Sequence, residues 1–500
     1  MASQTTPISD AAVYSEKPYN THLENGSGSS LSTRHKHDNL AEAQPIFDDA
    51  TARRIRRRVD WRLIPALGLM YGVSLMDRKN VSNAYIAGMR QDLNLISYRY
   101  SLITLTFFIT YVIFQPPLTY LCRRIGPPVF LPALCLIWGG VIIGFGFTRS
   151  WSTLVGLRLL LGLLEAGFFP GCVYLLSTWY TRYEVAKRYG VFYLIGSLAS
   201  ALSGILAYGL MQMEDVAGMR GWRWIFIMEG VITCTLGLLG YCLIVRFPDQ
   251  EMSRPSFKFL RPEECQFVLD RLNEDRSDAE AEPFALQKFL KPARDFAVWC
   301  FALIFFCTTT VTYSFSFFLP IILRQNMGFS VAVSQCLVAP PYVLAAIMIY
   351  ATSWAGDRYR TRGWILVFNT IVGLVGLPIM AFHGNPNVRL FGAFLGVAGA
   401  NASIPGTMAY QANNIRGQWK RAFCSANLVG AGGIGGIAGS LIFRTQDSPE
   451  YTWGFVGTIV ANCVVLITVA ILTVVFRRRN KLADEGKMVI EGLEGFRYTL

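Results

Sequence analysis

Asp77, Arg78, Lys79 and Asn80 stand in succession inside a largely apolar stretch, and Arg158 and Glu165 lie seven residues apart inside another. Charges within apolar helices are costly, so groups of this kind mark functional sites unless they merely neutralise one another and fix helix packing. Arginine stays protonated, and its planar fork grips a carboxylate with two hydrogen bonds. Arg78 and Arg158 facing one cavity are therefore expected to select organic anions. A seven-residue spacing returns a helix to nearly the same face, which sets Glu165 about two turns deeper than Arg158. A carboxyl placed there can gain or lose a proton as its surroundings are sealed or opened.

Other candidates carry weaker chemistry. Lys79 either contributes a further cation to the site or extends its long side chain to the membrane interface. Glu229, near the start of its apolar segment and close in sequence to Arg220 and Arg223, is expected in an interfacial ion pair, with a coupling site as the alternative. His383, beside Gly384-Asn385-Pro386, is expected at an exposed turn, and alone it cannot complete a metal site. Asn401, Ser403, Gln411, Asn413 and Asn414 make a polar stretch around Pro405 and Gly406. This predicts a discontinuous helix whose amides, Asn401 and Gln411 foremost, line a substrate cavity. The glycines from Gly430 to Gly439 lack the Gly-Lys-Ser/Thr ending of a phosphate loop and sit in an apolar run, so close helix contact is expected of them.

The elements that must position these residues follow from composition. Of the 500 residues 52% are hydrophobic and only 16% charged, which points to lipid as solvent. The net charge of +13 is spread in short clusters between apolar runs, so it reads as membrane topology and nucleic acid is not expected as a partner. The 11 cysteines form no C-x-x-C pair and fall mostly in apolar segments, as small core residues do, and no metal or cofactor is implied.

About twelve apolar stretches approach the ~20 residues a helix needs to cross a bilayer. An all-α membrane protein of twelve transmembrane helices in two six-helix bundles is the predicted fold. Its parts are a polar tail over 1–58, a first bundle over 59–248, a central loop over 249–297, a second bundle over 298–478 and a tail over 479–500. The first tail lacks a signal-peptide pattern, so its Asn25-Gly26-Ser27 sequon should stay unused. Arg53-Arg54-Ile55-Arg56-Arg57-Arg58, Arg123-Arg124 and Arg477-Arg478-Arg479 place both termini in the cytosol by the positive-inside rule. The central loop should lie on that side too, with an amphipathic helix near Glu263 to Leu272.

Three strings carry a family resemblance: Ser74-Leu75-Met76-Asp77-Arg78-Lys79-Asn80-Val81-Ser82-Asn83-Ala84, the run Arg158 to Gly171 with Glu165-Ala166-Gly167-Phe168-Phe169-Pro170, and Gly221-Trp222-Arg223-Trp224-Ile225-Phe226. Together they closely resemble the major facilitator superfamily, in its anion:cation symporter branch, and within it the fungal permeases for allantoate, nicotinate and related vitamins or organic acids. The resemblance covers roughly residues 60–479. It implies a rocking two-bundle carrier in which Asp77 and Arg78 of the first helix, with Arg158 and Glu165 of the fourth, serve anion recognition and proton coupling. Two positions depart from the pattern: Lys79, where a neutral residue is usual, and Cys122, in a loop that often carries an acid.

The expected function is thus proton-coupled uptake of a small organic anion such as a vitamin, ureide or carboxylate, by a monomer in the plasma membrane. Export of a pathway metabolite and membrane nutrient sensing are the alternatives. No nucleophile, base and oxyanion arrangement suggests an enzyme.

Overall fold

The computed structural model describes residues 49–500 apart from 254, 257–258, 277–286, 288–289, 360, 416–417 and 493–494. The sequon at Asn25 and most of the first tail lie outside the described residues. Twelve long helices form the body of the chain among the described residues. They are α1 (Asp49–Ala84), α2 (Arg99–Ile125), α3 (Pro127–Gly146), α4 (Trp151–Glu165, continuing as Phe168–Trp179), α5 (Arg182–Met211) and α6 (Gly221–Leu243), followed by α7 (Phe296–Gln325), α8 (Ala339–Tyr359), α9 (Arg362–Phe382), α10 (Pro386–Asn414), α11 (Gln418–Ile442) and α12 (Thr452–Asp484). Among the described residues eleven segments are long and apolar enough to cross a membrane, and α1 is absent from them. The same charges that make α1 chemically interesting lower its hydropathy.

Local chemistry sets the ends of these helices. Gly126, with φ 98°, closes α2 in a conformation that suits a residue without Cβ, and Pro127 opens α3 where a missing N–H costs nothing. Ser150 caps α4 by accepting from the Thr153 N–H, while Asp295 and Asn385 do the same for α7 and α10. Small residues bring helices into backbone contact. A Cβ added to Gly376 would meet the backbone N of Gly396 at 2.5 Å, so α9 and α10 lie against one another there. Of the glycine run, Gly435 faces Phe306 and Thr309 of α7, and Gly436 faces Phe108 of α2. The run thus wedges α11 between a helix of each half, as close contact requires.

Hydrogen bonds from the first six helices to the last six lie, among the described residues, at the level of Arg78 or beyond it, away from the end that carries Arg58 and Arg479. Tyr100 donates to the Phe317 carbonyl at 2.8 Å, Gln335 to that of Asn83 at 3.2 Å, and Thr445 to that of Ser97 at 2.6 Å. At the opposite end, a helix at Pro262–Arg276 fills the amphipathic position expected in the central loop and buries Cys265, Val268 and Leu272. Its Arg271 and Arg56 of α1 both hold Glu184 at 2.6 Å. The last residues fold back as well. Tyr498 stacks on Phe476 with ring centroids 4.3 Å apart, and the Thr499 N–H donates to Asn414.

Candidate functional site

On α1 three consecutive charged residues project from one helix in three directions. A helix turns by about 100° per residue, so Asp77, Arg78 and Lys79 must meet different neighbours. All three are buried, at 2%, 4% and 5% exposure, which excludes solvent as the partner of any of them.

Arg78 faces α4 and the boundary between the two halves. Its Nη2 lies 3.2 Å from Glu165 Oε2, which also accepts from Ser74 at 2.7 Å. Nη1 donates to the Tyr313 hydroxyl of α7 at 3.2 Å, and the guanidinium lies 5.0 Å from the Phe107 ring and 4.9 Å from that of Tyr111. The second carboxylate oxygen of Glu165 has no hydrogen-bond partner among the described residues. Arg78 is therefore a guanidinium held by one oxygen of an internal carboxylate and walled by aromatic rings of both halves. An incoming carboxylate could exchange with Glu165 on the same fork.

Lys79 turns instead toward α5 and α8. Its Nζ sits 3.1 Å from the centroid of the Tyr342 ring and donates to the Ser200 carbonyl at 3.3 Å. It does not reach an interface, which corrects the expectation that it might: the side chain is enclosed where α5 and α8 meet, and a cation–π contact takes the place of water.

Arg158 and Asp77 lie on the inner side of α1, within the first six helices. Arg158 Nη2 donates to the Asp77 carbonyl at 3.3 Å, and its guanidinium lies 5.2 Å from the Phe145 ring of α3. The two arginines thus share a level but not a set of neighbours. Arg78 meets α2, α4 and α7, whereas Arg158 is packed between α1 and α3. Among the described residues neither Asp77 carboxylate oxygen has a hydrogen-bond partner, and the same holds for both oxygens of Glu229.

Glu229 corrects the expected interfacial ion pair. It is 3% exposed, Arg220 pairs with Asp92 at 3.4 Å, and Arg223 donates to the carbonyls of Gly146 and Thr148. Tight packing explains the difference. Gly230 meets the Gly139 backbone, so α3 closes over the α6 face that holds Glu229.

The polar stretch of α10 also differs from its expectation. The helix runs unbroken from Pro386 to Asn414, and its polar side chains bond their own backbone: Asn401 donates to Val397 O at 2.8 Å, Ser403 to Gly399 O at 2.8 Å and Thr407 to Ser403 O at 2.8 Å. Gln411 donates to Cys424 O of α11 at 3.4 Å. No discontinuity forms at Pro405, and Asn369 of α9 supports the helix by donating to Ala402 O. His383 is exposed and accepts from the Asn385 N–H, as its turn position predicts.

Sequence reading missed the tyrosines. Tyr111 and Tyr313 lie within helices rather than at their ends, and with Tyr342, in the first turn of α8, they face the α1 cations. For Tyr111 and Tyr313 that placement was the available signal, because tyrosine in membrane helices favours the interfaces. No group of three or more His, Cys, Asp or Glu suited to a metal occurs among the described residues.

Comparison with known proteins gives one consistent answer. Residues 67–440 match the model of the Major Facilitator Superfamily. The chain is 30% identical to the MFS-type transporter cnsO of Penicillium expansum, over 89% of this chain and 88% of that one. It is also 30% identical to the major facilitator-type transporter hxnP of Emericella nidulans, over 90% and 91%. With the high-affinity nicotinic acid transporter of Saccharomyces cerevisiae it shares 27% identity over 88% and 80%. Among solved structures, a bacterial homolog of the human lysosomal transporter Spinster, in an inward-facing and occupied conformation, aligns with a TM-score of 0.63. That match has 13% identity and covers 85% of this chain and 97% of that one, a likeness of fold.

Proposed function

The chain belongs to the major facilitator superfamily, and from that premise we propose that it carries a small organic anion, such as a vitamin, ureide or carboxylate, together with protons by alternating access. The observation that supports this most is Arg78, a buried guanidinium held by Glu165 of α4 and in contact with Tyr313 of α7. An anion bound there touches both halves, so their relative motion and the occupancy of the site are linked. Arg158 serves by fixing the Asp77 backbone and by supplying positive charge within the first six helices.

Coupling rests on competition for one fork. A substrate carboxylate that takes the Arg78 guanidinium displaces Glu165, which is then a buried carboxylate without its cation. Protonation removes that cost. Anion entry and proton entry thus favour each other, with Asp77 as the neighbouring acid. Asn401 and Gln411 are engaged with backbone carbonyls and receive no substrate contact in this reading. The protein acts as a monomer in the plasma membrane, with both termini in the cytosol.

The test uses purified full-length protein in liposomes with an imposed pH gradient and a screen of labelled vitamins, ureides, amino-acid derivatives and dicarboxylates. Accumulation that a protonophore abolishes supports the proposal. Flux indifferent to the pH gradient overturns the coupling, proton-dependent movement only out of the cytosolic side makes the protein an exporter, and absence of flux across all classes favours a sensor.

A further inference from the structure

With Lys79 set aside, the acids and bases buried inside the first six helices do not balance. Arg78 and Arg158 contribute two cations; Asp77, Glu165 and Glu229 contribute three carboxyl groups, and none of the five is more than 4% exposed. Lys79 does not enter the count, because its ammonium is directed to the opposite side of α1, onto Tyr342 and the Ser200 carbonyl. Glu165 is already matched to Arg78 by an ion pair. The excess lies with the other two acids.

Asp77 and Glu229 line the same small cavity between α1 and α6, whose remaining walls are Val73, Met76, Ile232 and Thr233. All four of their carboxylate oxygens lack a hydrogen-bond donor among the described residues. Thr233 cannot supply one, since its hydroxyl already donates to the Glu229 carbonyl at 2.8 Å. The cavity offers roughly the room of one water molecule, too little to hydrate two ionised carboxylates. Two buried carboxylates without donors repel each other and lose their hydration, whereas a carboxylic acid facing a carboxylate supplies the missing donor itself.

We propose that Asp77 and Glu229 form an acid pair that holds one shared proton, a protonation site separate from the Arg78–Glu165 pair. One proton brings the cluster to neutrality: two guanidiniums, two carboxylates and one carboxylic acid. The charged groups around the pair are Arg158, which donates to the Asp77 carbonyl from the α3 side, and Arg78 with Glu165 across α1. Among the described residues no lysine or arginine forms an ion pair with Glu229. The inference extends the proposed proton coupling by naming where a proton resides while Glu165 is ionised, yet the proton's presence does not depend on that coupling.

Infrared spectroscopy of the purified protein at neutral pH reads the proton directly, because a carboxylic acid C=O stretch is resolved from carboxylate bands and shifts on transfer to D2O. The wild-type protein should show such a band, and Glu229→Gln and Asp77→Asn should each abolish it. Should Asp77→Asn fail to fold, Glu229→Asp must shift the band and keep it. Absence of the band in the wild type, or its persistence in Glu229→Gln, overturns the pair. Loss in one variant alone assigns the proton to one acid and overturns the sharing. A protein with the band but without proton-driven flux retains the acid pair and refutes only the proposed transport coupling.

Discussion

The two halves of the molecule solve the same burial problem with different chemistry. In the first six helices, α1, α4 and α6 bury Asp77, Arg78, Lys79, Arg158, Glu165 and Glu229. In the corresponding interior of the last six, α7 buries Thr308, Thr309, Thr310, Thr312 and Ser314, and α10 buries Asn401, Ser403 and Thr407. The hydroxyls donate to carbonyls of the preceding turn, as Thr308 does to Ile304 and Ser314 to Thr310, so they satisfy themselves locally. Charges cannot do this. They need partners from other helices, and those partners can be exchanged for a ligand or a proton. In the proposed function the exchangeable chemistry belongs to the first half, and the second supplies aromatic side chains, Tyr313 and Tyr342, against it.

That contrast can be broken most severely at Arg158. Arg158→Met leaves Asp77, Glu165 and Glu229 facing a single guanidinium, and losing one member of a buried charge system costs about 3–5 kcal/mol. Thermal unfolding in detergent should show a large loss of stability. A midpoint equal to that of the wild type would mean Arg158 balances no charge.

Arg78→Lys should be milder for the fold and specific for transport. The charge remains, but the fork that reaches Glu165 and Tyr313 together is lost. A charge-assisted hydrogen bond contributes about 1.5–3 kcal/mol, or roughly 10- to 100-fold in apparent affinity. Transport kinetics on the substrate found by the screen check this, and an unchanged apparent affinity would remove Arg78 from the site.

Asn401→Ala tests the other half. Its amide bonds back to Val397, so the expected cost is within about 1 kcal/mol and transport kinetics should be close to those of the wild type. A loss of affinity as large as that of Arg78→Lys would return α10 to the substrate site and end the contrast.

The smallest effect lies outside the membrane segments. Burial alone would raise the Glu184 carboxyl, but hydrogen bonds from Arg271 and Arg56 outweigh it and hold the group below the usual glutamate range. A carboxyl lowered on folding adds stability that is present above its unfolded value and is lost as pH falls through the folded one. Glu184→Gln should therefore cost about 1 kcal/mol at neutral pH, in line with partly exposed pairs. The difference from wild type should vanish in acid, and a deficit that persists there would assign the effect to packing.

Much of this was legible in the sequence, for reasons particular residues make clear. The helices stood out because long charge-free runs have few other uses, and Arg78, Arg158 and Glu165 stood out because charges interrupt those runs. Glu229 was misread because its distance along the chain from Arg223 suggested an interface, whereas Gly230 against Gly139 brings α3 over it. Pro405 suggested a break, but Asn369 on a neighbouring helix supports the backbone beside it. Tyr313 and Tyr342 were not legible because their meeting with α1 depends on how the two halves join. In each case the missing information was a contact between segments distant in the chain.

The central claim is that a substrate anion and the Glu165 carboxylate compete for one guanidinium, so that anion and proton enter together, and Glu165 is the residue that tests it. Glu165→Gln mimics the protonated state and leaves Arg78 free for an anion without a carboxylate to displace. Counterflow and accumulation are to be measured on the same purified protein in liposomes at fixed internal pH. The account predicts that counterflow survives while accumulation driven by an imposed pH gradient fails. Accumulation by the variant equal to that of the wild type would contradict it.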